Sequence, residues 1–117
     1  MQELFQQIQT YLNMDEEIDF KEFDQYYKRV LATFNESGEQ FSEQEVWYGL
    51  FISENLLSNA DDRRKESKGS QAKKYKKINE RMSLWAKNFA SRLVALGYTE
   101  EQMNERFEAM FEEKAEQ

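Results

Sequence analysis

The chain has no cysteine, no histidine and no proline, and only four glycines among its 117 residues. Without Cys there can be no disulfide, thiolate nucleophile or zinc-cysteine site, and without His the catalytic triads and imidazole metal sites go as well. Scarce Gly and absent Pro also argue against an all-β chain, which needs turn residues about every ten positions. Long apolar runs are missing too. The longest nearly apolar stretch, Val46 to Ile52, is far short of the roughly 20 residues that span a bilayer. Met1 to Asn13 carries no basic residue and no unbroken apolar run, so the expectation is a soluble, cytoplasmic protein with no membrane attachment. The size of the chain suits one domain over residues 1–117.

What is present is charge, aromatic bulk and helical signals. Charged residues make up 33% of the chain and aromatic residues 15%, with a formal net charge of -7. One helix-start signal occurs three times. In a capping box the N-cap side chain accepts from a backbone N–H three residues on, where Glu or Gln reaches back, and apolar neighbours staple the turn. Asp19 with Glu22, Ser42 with Glu45, and Thr99 with Gln102 all fit, flanked by Ile18 and Phe23, Phe41 and Val46, and Tyr98 and Met103. Gly97 supplies a left-handed stop before the last box, and Gly38 punctuates the earlier junction.

Apolar spacing then predicts five amphipathic helices. The first, about residues 2–13, presents Leu4, Phe5, Ile8, Tyr11 and Leu12. The second, about 20–35, presents Phe20, Phe23, Tyr27, Val30, Leu31 and Phe34. A third begins at Glu43 with Val46, Trp47, Leu50, Phe51, Leu56 and Leu57. The fourth steps regularly through Tyr75, Ile78, Met82, Trp85 and Phe89 to Leu93 and Leu96, with Trp85 expected in the core. The fifth is short, with Met103, Phe107, Met110 and Phe111. These imply an all-α, up-down helical bundle. Ser58 to Ser70 is polar and basic and reads as a hairpin tip or mobile loop, with continuation of the third helix through Lys65 as the competing reading. Residues 112–117 are expected to fray.

Two short segments resemble known families. Ile18-Asp19-Phe20-Lys21-Glu22-Phe23 resembles the closing half of an EF-hand loop, but counting back from Glu22 puts Tyr11 at position one and Glu16 at position six. An EF-hand needs an acidic oxygen and a turn glycine at those places, and the capping box already accounts for Asp19 and Glu22. Leu96 to Met103 resembles the first loop of a ubiquitin-associated domain, yet a long helix precedes it and a single short one follows, so the stop-and-cap reading suffices. Glu101, Glu105, Glu108 and Glu112 line one face of the fifth helix. A magnesium site there would need a second acidic helix opposite, and none has matching spacing. No cofactor is expected.

Charge is distributed unevenly. Residues 1–60 hold 12 acidic and 3 basic side chains, whereas Arg63, Arg64, Lys65, Lys68, Lys73, Lys74, Lys76, Lys77 and Arg81 crowd into residues 61–81 for a local net of +5. These nine residues are the candidate partner-binding site. The expectation is a small, non-enzymatic regulatory or adaptor-like protein, bound through this segment to an acidic protein surface or to the acidic N-terminal helices of a second copy. One alternative is a nucleic-acid-associated protein using residues 63–81. The other is an acidic inhibitor or immunity-type protein whose N-terminal carboxylates fill a basic site on its target.

Overall fold

The structure, a computed structural model, describes residues 1–112. Among the described residues there are five α-helices in order: α1 (Gln2–Leu12), α2 (Phe20–Ser37), α3 (Glu43–Glu66), α4 (Gly69–Ala95) and α5 (Glu100–Glu112), with a 3-10 turn at Gly38–Gln40. No strand occurs among the described residues, and the expected helical bundle is what forms. The reading that residues 112–117 fray falls outside the described residues except for Glu112, which closes α5.

The capping signals work mostly as the sequence implies. Ser42 and Glu45 form a reciprocal box at the start of α3, and Thr99 and Gln102 form another at the start of α5. Gly97, at φ +106, ends α4. The N–H of Tyr98 reaches Leu93 O and that of Gly97 reaches Val94 O, the paired bonds of a left-handed helix stop. At α2 only half a box forms. Asp19 accepts from the Glu22 N–H at 2.8 Å, while the Glu22 carboxylate turns away to accept from the Tyr11 hydroxyl at 2.7 Å. A phenol on the neighbouring helix thus outcompetes the local backbone donor.

Helix α3 is the axis of the molecule. Val46, Trp47, Gly49, Leu50, Phe51, Ile52, Ser53, Leu56 and Ala60 are all buried, which covers most of the helix circumference and leaves no single apolar stripe. Gly49, Ser53, Leu56 and Ala60, at steps of four, three and four, form a narrow buried ridge on α3, and α4 packs antiparallel against the same helix. The approach is closest at Gly49, where a Cβ would stand 2.7 Å from Cε2 of Phe89. Asn79 ties the same two helices by donating to Leu57 O at 2.8 Å. On another side Phe5 of α1 stacks on Tyr48 and meets Phe51 edge-on. Phe51 also meets Phe107 and Phe111 of α5. Helix α2 closes the bundle through Phe20 and Phe23 against Tyr75, and Phe34 against Trp85 and Phe89. These paired positions run up, down, up, down and up along the five helices.

Several expectations need correction. The segment 58–70 is not a loop: α3 continues to Glu66, as the competing reading of continuation through Lys65 has it, and only Ser67 and Lys68 form the tip of the helical hairpin before Gly69. Ala60 is fully buried, Arg63 turns inward, and Arg64 and Lys65 pair with Asp61 one turn back, so a polar sequence still carries one inward face. Trp85 is half-buried rather than enclosed. It lies at the edge of the core, covering Phe34 and Phe89. Leu12 and Leu96, expected to close apolar stripes, are exposed at helix ends, as is Phe111 near the end of α5.

Phe89 is fully buried, and its truncation to Ala should cost about 3–5 kcal/mol in urea unfolding. Gly49→Ala should also destabilise, by about 1 kcal/mol at mid-range, because overpacking against the Phe89 ring costs about 1–3 kcal/mol and the helix-propensity gain returns about 1 kcal/mol. Combined with Phe89→Leu, the Gly49→Ala loss should shrink. A loss that is unchanged in the double variant would contradict the close contact.

Candidate functional site

Folding divides the nine basic residues into two groups that their spacing in the chain does not reveal. Arg63 belongs to the interior. Its Nε donates to Asn59 Oδ1 at 2.8 Å, Nη2 to Ile18 O at 2.8 Å and Nη1 to Tyr75 Oη at 3.4 Å, and its guanidinium lies 4.6 Å from the Phe23 ring centroid. It thereby fastens the segment between α1 and α2 to α3. Arg64 and Lys65 are occupied by Asp61, at 2.9 and 3.4 Å. These two donors hold the Asp61 carboxyl below the usual range.

The rest lie on α4 or at its start. Lys68 caps the helix at the hairpin turn without a side-chain cap bond. Lys74 sets its ammonium 5.3 Å from the Phe20 ring centroid. Arg81 reaches the Tyr27 phenol, opposing the upward pull of burial on that group's pKa. Both therefore lean towards α2. Lys73, Lys76 and Lys77 are exposed, and none makes an ion pair among the described residues. The structure brings these three together on the outer face of α4.

Helical phase adds residues that lie beyond the basic block. Lys73, Lys77, Glu80, Leu84 and Lys87 follow steps of four, three, four and three, so they share one face, and all are exposed. Leu84, at 69% exposure, is the most open of the large apolar side chains. Lys87 and Leu84 were missed because the cluster was bounded by charge density along the chain. A helical-wheel count of α4 would have found them.

On one flank of α4 a groove of about 280 Å³ lies where α3, α4 and α5 meet, lined by Leu50, Glu54, Ala90, Met103, Asn104 and Phe107. Burial among these apolar groups pushes the Glu54 carboxyl above its ordinary pKa. The acids of α5 stand outside the groove: Glu101, Glu105, Glu108 and Glu112 are exposed. Among the described residues no group of three or more acidic side chains is arranged to hold a metal ion, and no helix is long and apolar enough to cross a membrane. Comparison with protein-family models, curated proteins and solved structures finds no match to this chain.

Two outcomes follow. Arg63→Ala should destabilise the protein by about 1–3 kcal/mol, because it removes charge-assisted hydrogen bonds and a ring contact, whereas Lys73→Ala, Lys76→Ala and Lys77→Ala should each stay within about 0.5 kcal/mol. Equal losses at Arg63 and the lysines would undo the division. Glu54 is a carboxyl whose folded pKa is raised, so the folded state is favoured by its protonation. That advantage is complete below the ordinary carboxylate pKa and is lost as pH rises through the folded value. Glu54→Gln should therefore raise the melting temperature at neutral pH and leave it unchanged in acid. A stabilisation independent of pH would contradict this.

Proposed function

We propose that this chain is a small, cytoplasmic, non-enzymatic binding protein whose working surface is the outward face of α4, and that its partner presents a confined acidic protein surface. The observation that carries the reading is the row of Lys73, Lys76, Lys77 and Lys87, exposed and without ion pairs among the described residues, interrupted by one acid, Glu80, and with Leu84 beside Lys87. The inner face of the same helix is committed to the core through Tyr75, Ile78, Met82, Ala86, Phe89 and Leu93. The cations are thus mounted on a rigid element, and little backbone ordering is required when they bind.

The charge layout favours a protein over a polyanion. From Lys73 to Lys87 the face is about 21 Å long at the α-helical rise, and the body around it is acidic, so a long polyanion extending past the row meets repulsion. Leu84 adds the apolar contact that protein interfaces place among their charges. A fold that needs no disulfide suits a reducing compartment.

The test is a triple reversal, Lys73→Glu with Lys76→Glu and Lys77→Glu, which spares Arg63 and Lys74 because both contact aromatic rings. The unmodified protein should bind short acidic helical peptides with an affinity that falls as salt rises. The variant should lose that binding while keeping its helicity and melting behaviour. No binding at low salt, or binding that survives the reversal, would refute the reading. Tighter binding of duplex or single-stranded nucleic acid at physiological salt, lost in the same variant, would replace the acidic protein with nucleic acid.

A further inference from the structure

Arg63 is a half-buried cation that the fold leaves without an acidic partner among the described residues. Its half-buried guanidinium is met only by neutral acceptors, namely Asn59 Oδ1, Ile18 O and Tyr75 Oη, and it makes no ion pair among the described residues. Three of its five N–H donors are used. Removing a charge from water is costly unless an opposite charge accompanies it, and here a cavity lies beside it. The cavity occupies about 70 Å³ between α1, residues 13–19 and the facing sides of α2 and α3.

Its lining is asymmetric. Ile8, Leu12, Ile18 and Leu56 provide apolar walls, and Asn59 and Arg63 provide polar groups. The Asn59 carbonyl is taken by Arg63, while its amide nitrogen has no partner among the described residues. A water needs roughly 10–15 Å³, so the space suits a few waters or one small organic molecule. Its only cationic group is Arg63, which matches one negative charge; a dianion would remain uncompensated in these apolar walls.

We propose that this cavity binds a small monocarboxylate with a short apolar tail. The carboxylate accepts from the two N–H groups that Arg63 has left, one on each Nη, and from the Asn59 amide. The tail lies along Ile8, Leu12 and Leu56. Glu17, exposed at the cavity and unpaired with Arg63, is the internal competitor for the same cation.

Titration of the full chain with butyrate and benzoate, followed by amide NMR, tests the assignment. Saturable shifts are expected at Leu12, Ile18, Asn59 and Arg63, whereas butyramide and benzamide should cause none, because they lack the charge. Glu17→Gln should tighten binding several-fold. Arg63→Lys should weaken it by about tenfold or more, since an ammonium cannot reproduce the two-point contact. Because Arg63 also supports the fold, Leu12→Trp serves as an independent variant: it fills the mouth of the cavity from a partly exposed position and should block binding while leaving the melting temperature near that of the parent. Equal binding of acids and amides would overturn the proposal. So would affinity unchanged in Leu12→Trp, or shifts centred on Lys73, Lys76 and Lys77 in place of the cavity.

Discussion

Everything in this molecule is arranged around the contact between Gly49 of α3 and the ring of Phe89 on α4. A side chain at position 49 would meet that ring at 2.7 Å, so glycine is what allows the two longest helices to close at this point. Interiors are packed near crystal density, and an approach this close fixes the rotation of α4 about its own axis. That rotation determines which residues face outward. Phe89 in turn meets Phe34, Phe41 and Trp85, so α2 and the connection into α3 are placed by the same ring.

The rotation of α4 converts a basic stretch of sequence into a basic surface. With Tyr75, Ile78, Met82 and Phe89 turned to the core, Lys73, Lys76, Lys77 and Lys87 have only solvent to face. Arg63 lies one turn beyond the close-packed ridge on α3 and is drawn towards Phe23 and Tyr75 instead. Charge of one sign therefore serves two purposes: in the interior it holds a connecting segment and borders a cavity, and on the surface it forms a row. Arg92 shows the interior use again at the other end of α4, where Nη1 donates to Gly38 O at 2.7 Å and holds the α2–α3 connection.

Much of the fold was legible in the sequence because local signals agreed with one another. The Ser42 and Thr99 boxes, the Gly97 stop and the stripe from Tyr75 to Phe89 all describe interactions within a few residues. Readings that depended on distant partners fared worse. Glu22 left its box for Tyr11, a partner eleven residues back on another helix. Trp85 and Leu96 fit the α4 stripe by spacing, yet one sits at the rim and the other past the end of its neighbours. The inward role of Arg63 had no local signature, since its partners Ile18, Phe23 and Tyr75 are brought together only by the folded chain. The candidate surface was visible as charge density, but that Leu84 and Lys87 share its face required helical phase.

Native-state hydrogen exchange tests the central claim, that the α3–α4 contact is the scaffold on which the other elements and both charged features rest. Amides flanking Gly49 and Phe89 should be the slowest in the protein, exchanging only through global unfolding with a free energy equal to that from denaturant. Those of α1 and α5 should open at lower cost. Faster exchange around Gly49 and Phe89 than in α1 would show that the hairpin is not the scaffold, and would remove the basis for a rigidly displayed α4 face.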